Sequence, residues 1–573
     1  MHGSAEDTVK TLWLSALFTA RGSRLAMLLL LLLGSASADC SNRRPPPAER
    51  LFVSTSVDAA IEEMVAKMTN DTELACIFSN TLPNTLDTTI TPGAANPPTP
   101  AMPPMSPPSN VNASYTFVIT GDIKAMWLRD STNQVLPYLP YAKSDAALSQ
   151  MLAGVVRQQV LQVLADPFAN AHYLVDSGMG TGNGDDDTSS PSSLCVKSSG
   201  DCAYAGKRTP GMQPGIYERK YELDSLMAFL KLGRSLHEAT DDGRPNLSDP
   251  FDETWMAAVT RVLEVLQLEQ SSSAEDAIGP CGPAYTFSRS NLAGQGPLDT
   301  LLKGVGHPAA RTGMVRSSFR PSDDACTFAF LIPANAMAVV ELRHTATLLR
   351  TLEQRGRWSG LGSGHGAHGR RAMSERLLQA TPPGPLAMAT RCDNLASEID
   401  AGIKRYGIVN RPALGGDVYA YEVDGFGNAL LMDDANVPSL LSLPWLGYVS
   451  SNDPVYVRTR AYILSNSSNP WFFRGRAGEG VGGPHTGAFS IWPMALIMRA
   501  LTSTSEHEIA AQMTMLKSAA GAPDAWLMHE SFNMDDANTF TRPWFAWANS
   551  MFASLILTLS KERPHLVGIS PSR

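Results

Sequence analysis

Apolar residues recur at three- and four-residue spacing in segment after segment of this 573-residue chain. Val57, Ile61, Met64, Val65 and Met68 predict a first amphipathic helix. The same period runs through 146–164, 218–236, 253–270, 334–355, 394–406, 453–464, 491–501, 506–517 and 544–557. With shorter candidates included, the pattern predicts on the order of twelve helices and few strands. The clearest extended stretch is Phe117-Val118-Ile119-Thr120. No fixed repeat period appears, which argues against a solenoid. Many helices joined by loops of very unequal length suit an all-α fold, a closed ring of helical hairpins around one central pocket.

Three stretches break the pattern. Residues 83–110 are proline-rich, 178–200 are rich in Gly, Ser and Asp, and 355–385 mix glycines, basic residues and prolines. All three read as surface insertions. Asp185-Asp186-Asp187 lacks the spaced ligands and glycine turn of a calcium loop, so it reads as solvated.

Residues 1–38 read as a targeting segment. Arg21 and Arg24 precede a block from Leu25 to Leu33, and Gly34-Ser35-Ala36-Ser37-Ala38 supplies small residues for cleavage. Because Leu12 to Ala20 is also apolar, an uncleaved signal anchor from Leu12 to Leu33 is the alternative, and it is the only route to a membrane. Residues 39–50 read as a linker, and 51–565 as one helical body that carries the three insertions. A secretory chain should pair some of its seven cysteines, with Cys195 and Cys202 the easiest pair to propose. Glycosylation sequons stand at Asn70, Asn112, Asn246 and Asn466. These features place the chain in the secretory pathway: secreted, vacuolar or lysosomal, or Golgi. A net charge of −9 without a basic stripe argues against nucleic acid as a partner. No P-loop, no strand-borne G-x-G-x-x-G, no C-x-x-C and no H-E-x-x-H is present, so neither a nucleotide cofactor nor a zinc site is expected.

Candidate chemistry gathers in a few blocks. Gly121-Asp122-Ile123-Lys124-Ala125-Met126-Trp127-Leu128-Arg129-Asp130-Ser131 embeds apolar groups among charges. Burying Trp127 and Leu128 brings Arg129 and Asp130 to the same wall, as a structural ion pair or as an aromatic platform with a fork donor for a sugar. In Tyr217-Glu218-Arg219-Lys220-Tyr221-Glu222-Leu223-Asp224, Asp224 shares a helix face with tyrosines beside an apolar stripe. That setting suits a protonated general acid, or a first-turn carboxylate favoured by the helix dipole. His529-Glu530-Ser531-Phe532 offers Glu530 as a general base, or as the partner of Arg542. Downstream, Trp547 and Asn549 lie in an aromatic-rich block, while Arg320 and Asp323 lie in Ser318-Phe319-Arg320-Pro321-Ser322-Asp323-Asp324. His485 follows a glycine loop that lets backbone approach a ligand, although a lone histidine is more often structural.

Together these blocks resemble glycoside hydrolase family 125, the metal-independent exo-α-1,6-mannosidases. The resemblance rests on 121–131, 218–225, 319–326, 433–438, 482–486, 529–532 and 544–550, in that order along most of the chain. It implies an (α/α)6 barrel and an inverting mechanism without a cofactor, with Asp224 as acid and Glu530 as base. It implies that Trp127, Arg129, Asp130, Arg320, Asp323, His485, His529, Trp547 and Asn549 bind the terminal mannose of a glycan. The competing readings are a glycan-binding protein that kept the ring and lost catalysis, and another helical-barrel α-glycosidase.

Overall fold

The computed structural model describes residues 40–92, 115–174, 186–187, 215–241, 250–279, 282–289, 299–355 and 384–570. The expected targeting segment, the Cys195/Cys202 pair and nearly all of the 178–200 and 355–385 insertions lie outside them. From Asn42 onward the chain forms one compact unit.

Two sets of helices alternate along this unit. One set is Leu128–Val135, Leu223–Thr240, Ile332–Gln354, Pro493–Leu501 and Ala546–Glu562. In it, Leu128–Val135 packs on Leu223–Thr240, which packs on Ile332–Gln354, while Pro493–Leu501 packs on Ala546–Glu562, which returns to Leu128–Val135. Between these two runs of the circuit comes the buried stretch 433–443, where Asp433 caps the backbone N–H groups of Leu440 and Leu441 at 2.8 and 3.0 Å. The second set includes Thr72–Thr81, Ala146–Ala165, Glu253–Leu268, Pro385–Gly402, Pro454–Ile463 and Glu506–Gly521. Thr72–Thr81 packs against both Glu506–Gly521 and Ala546–Glu562, so the first hairpin closes on the last. The result is an (α/α)6 ring, as expected.

The two sets start differently, and the difference positions the site. Most outer helices carry a side-chain cap: Asp71, Asp145, Asp252, Asp453 and Ser505 each accept a first-turn backbone N–H. The five inner helices begin at Trp127, Glu222, Leu331, Trp492 and Phe545, none of which makes such a bond. Three of these inner helices follow a short strand directly or after one residue; Met126–Trp127, for example, pairs with Ala171–His172, which pairs with Ile216–Glu218. Uncapped helix starts carry orphan N–H groups and partial positive charge, which favours carboxylates nearby.

Sequence periodicity missed Leu128–Val135 because six of its eight residues are polar, yet all eight are buried. Several of their polar atoms are satisfied internally. Gln159 donates to the Leu128 carbonyl and to the Ser131 and Thr132 hydroxyls, each at 3.0 Å, and Thr132 donates to the Ala228 carbonyl at 3.1 Å. The first part of the 83–110 insertion also differs from expectation. Asn84–Thr88 is a buried helical turn, and Ile90–Pro92 pairs with Thr116–Val118, leaving only 93–114 outside the described residues. Cys40 and Cys76 are disulfide-bonded, whereas Cys326 and Cys392 are free and buried. Asn70 and Asn466 are exposed. No helix among the described residues is long and apolar enough to cross a membrane.

Candidate active site

A cavity of about 680 Å³ opens at the starts of the inner helices, lined in part by Trp127, Trp492 and Phe545. Its size falls within the range of roughly 300–1,000 Å³ usual for small-molecule sites. Gly121, at φ 128°, makes the turn that feeds this wall, and a side chain there would meet the Trp544 ring at 3.2 Å.

Arg129 anchors one side. Its Nη1 reaches Glu222 at 2.5 Å and Asp224 at 3.2 Å, its Nη2 reaches Asp323 at 3.5 Å, and its Nε lies 3.5 Å from Asp130. Four carboxyl groups around one guanidinium cannot all be ionised cheaply in a buried setting. Burial, against the pull of Arg129, raises the Asp130 pKa to about 6 and lifts Asp224 and Glu222 as well. Glu222 is also repelled by Asp323 and hydrogen-bonded to it. Asp323, though buried, is held low by Arg129, by that hydrogen bond, and by Lys220 and His485. The proton of this pair therefore rests on Glu222, hydrogen-bonded to the ionised Asp323, and the titration belongs to the pair. Asn170 bridges them, donating to Glu222 at 3.3 Å and Asp323 at 3.1 Å.

Of that pair, Asp323 faces the cavity, with 23% of its side chain exposed, while Glu222 has none. Asp323 sits at φ 67°, a conformation that non-glycine residues hold only when the surroundings impose it. Arg320 helps impose it: its Nε donates to the buried Glu422 at 2.6 Å, and Glu422 also accepts the backbone N–H groups of Thr327 and Phe328. Trp127 Nε1 donates to Asp323 at 3.3 Å.

Glu530 stands in the same cavity, 3.5 Å from Arg542 Nη1. Arg542 spends its main hydrogen bonds on Asp122 and stacks over Phe545 at 4.6 Å, so it flanks Glu530 without neutralising it through a fork. Glu530 immediately precedes the strand Ser531–Asn533, which is paired on both sides.

Of the residues singled out from sequence, Trp127, Arg129, Asp130, Asp323, His485, Glu530 and Trp547 line this one cavity. Asp224, Arg320, His529 and Asn549 do not. Asp224 is fully buried behind Arg129, so the acid expected there lacks a path to substrate. Arg320 braces the Asp323 loop. His529 stacks on Phe540 at 3.9 Å and lies 2.7 Å from the Ala522 carbonyl, and burial lowers its pKa. Asn549 accepts the Met528 N–H at 2.8 Å and donates to Asn84. The last two hold the segment that carries Glu530.

Sequence reasoning did not assign Glu218, Lys220, Arg289 and Asp299, which line the cavity and are joined to one another by ion pairs of 2.7–3.3 Å. The first two share a block with Asp224 and were legible as neighbours of it. The other two lie in stretches with no periodic signal.

Residues 71–557 match the family of metal-independent alpha-mannosidases, GH125. The chain belongs to glycoside hydrolase family 125. It is 42% identical over 529 residues to the meiotically up-regulated gene 157 protein of Schizosaccharomyces pombe, covering 92% of this chain and 89% of that one. Among solved structures it resembles a Streptococcus pneumoniae metal-independent α-mannosidase determined in a non-productive complex with α-1,6-mannobiose. That likeness has a TM-score of 0.70 at 34% identity, and covers 90% of this chain and all of the other. The chain is thus an α-mannosidase of family 125. Arg129 Nε, Asp130 Oδ2 and Trp547 Nε1 are buried polar atoms without a hydrogen-bond partner on cavity-lining residues. Among the described residues no cluster of three or more His, Cys, Asp or Glu side chains is arranged to hold a metal ion.

His485 gives the mannosidase a pH-dependent contact. Its ring lies 3.3 Å from Asp324, and although burial opposes charge, Asp324, Asp323 and Glu530 raise its pKa to about 9. A histidine raised in this way stabilises the fold fully below its unfolded value of about 6.5, and the contribution is lost as pH rises through 9. The melting temperature of wild type should therefore exceed that of His485→Gln by a margin that is largest below pH 6.5 and shrinks toward pH 10. A margin independent of pH would contradict the ion pair.

Proposed function

We propose that this mannosidase releases terminal α-1,6-linked mannose from glycans with inversion, using Asp323 as general acid and Glu530 as general base. The observation that carries this reading is that the two carboxyl groups line one cavity and that one of them, Asp323, is hydrogen-bonded to a second carboxyl group, Glu222, that can hold a proton. Asp323 accepts a hydrogen bond from the protonated, buried Glu222, which can pass that proton to it. Glu530 stands beside the cation Arg542. In the tautomer with the proton on Asp323, the acid can protonate the glycosidic oxygen as the bond breaks. Glu530 takes a proton from water attacking the anomeric carbon on the opposite face. Such a pair needs a separation of roughly 6.5–9.5 Å to admit that water. The linkage follows from the mannobiose held by the pneumococcal relative.

The test is the anomer formed first. Proton NMR during hydrolysis of α-1,6-mannobiose should show β-mannose before mutarotation; α-mannose as first product refutes the single displacement. In the same assay, EDTA should leave the rate unchanged, because every proposed step uses a carboxyl group of the chain. A loss in EDTA that calcium or zinc restores overturns the assignment.

The proposed setting is the secretory pathway. Support comes from the N-terminal pattern of Arg21, Arg24 and the apolar block, from disulfide bonding at Cys40 and Cys76, and from exposed sequons at Asn70 and Asn466.

A further inference from the structure

We infer that Asn170 is the positioning residue of the acid: its side-chain amide holds one oxygen of Asp323, so that the other oxygen takes up and delivers the proton. The inference rests on the reading of Asp323 as general acid and names the group that aims it.

Asn170 is fully buried and lies outside the cavity wall, so it acts on substrate only through its neighbours. Its backbone is fixed where an inner helix begins. It directly precedes the strand Ala171–His172, and its carbonyl accepts the N–H of Leu128 at 3.1 Å. The side chain has one workable orientation. Its oxygen accepts the Lys220 N–H at 3.2 Å, which turns the NH2 group toward three carboxyl groups: Glu218 at 3.0 Å, Glu222 at 3.3 Å and Asp323 at 3.1 Å. The reverse orientation would set an amide oxygen against those three acceptors.

The contacts of Glu218 and Glu222 are spread over several partners. Glu218 has Arg289 at 2.8 Å and Lys220 at 3.3 Å, and Glu222 Oε2 has Arg129 and the Ser225 hydroxyl. Those of Asp323 converge on a single oxygen. Asn170, Trp127 Nε1 at 3.3 Å and Arg129 Nη2 at 3.5 Å all meet Oδ1. An oxygen facing three donors is a poor place for a proton, because such donors favour the ionised form. The proton that Glu222 releases therefore goes to Oδ2: the Glu222 O–H bond breaks as the Oδ2–H bond forms. Oδ2 then gives that proton to the glycosidic oxygen, which keeps the electron pair of the breaking C–O bond. Trp127 stands in the cavity wall and Arg129 is shared among four carboxyl groups, so Asn170 is the contact that ties Asp323 to the buried side. Without it the carboxyl group can turn about its Cβ–Cγ bond and present either oxygen.

Asn170→Leu fills the space without the amide, Asn170→Ala empties it, and Asn170→Ser keeps a hydroxyl and carries the test if the apolar variants do not fold. Each would be assayed on α-1,6-mannobiose and on an aryl mannoside whose leaving group departs without protonation, with the melting temperature as the measure of folding. For mannobiose, kcat should fall about 10- to 100-fold, the scale of one hydrogen bond to a charged group, with KM changed less than about twofold. The aryl mannoside should lose less than about threefold in kcat. In a Glu530→Gln background, calorimetry should show mannobiose bound as tightly with the Asn170 substitution as without it. An equal loss on both substrates makes Asn170 a structural residue and overturns the inference, as does no loss on either. If Asp323→Asn itself shows no dependence on the leaving group, it is the acid assignment that fails, and the role of Asn170 falls with it.

Discussion

Asp323→Asn should cut hydrolysis of α-1,6-mannobiose by about 10²–10⁴-fold, the usual worth of general acid assistance. An aryl mannoside whose leaving group departs without protonation should lose far less. Asparagine keeps the shape and the hydrogen bonds that Asp323 accepts from Trp127 and Asn170, so the loss reports the proton. Asp224→Asn makes the contrast. Asp224 touches Arg129 from behind the cavity wall and has no exposed surface. Its replacement should act through the Arg129 cluster, lowering thermal stability and affecting both substrates alike. If Asp224→Asn instead shows the leaving-group-dependent loss and Asp323→Asn does not, the acid is Asp224 and the cavity opens deeper in solution than its lining suggests.

Glu530→Gln should reduce both substrates together, again by about 10²–10⁴-fold, because water must be activated whatever group leaves. The glutamine keeps its place, since the neighbouring strand pairing and the His529 and Asn549 contacts do not depend on the Glu530 charge. Binding of mannobiose by calorimetry should therefore survive. A Glu530→Gln enzyme that fails only on the unactivated substrate would exchange the acid and base roles.

The long helices were legible in the sequence, because their apolar stripes repeat over many turns. Leu226, Met227 and Leu230 predict a helix whatever surrounds them, and all three are buried in Leu223–Thr240. Leu128–Val135 was not legible. Its residues are polar and buried, and their partners, such as Gln159, come from a distant segment. At the site, the blocks carrying Trp127, Arg129, Asp130, Asp323, His485, Glu530 and Trp547 could all be picked out, because charged and aromatic groups interleaved with apolar ones must share a wall.

Local pattern in the chain therefore specified the all-α ring and the set of segments that supply chemistry. Period and composition are local properties, and the resemblance to family 125 spans most of the chain. Which member of each block reaches substrate was left to the packing of distant segments. Glu222 and Asp224 flank the start of one uncapped inner helix, and both turn inward to Arg129. Asp323 turns outward because a left-handed residue in a loop braced by Arg320 and Glu422 aims it there. A carboxylate's spacing in sequence is the same in either case. Its direction depends on a guanidinium roughly a hundred residues away or more, and on a buried glutamate from a different strand, and no local pattern encodes either.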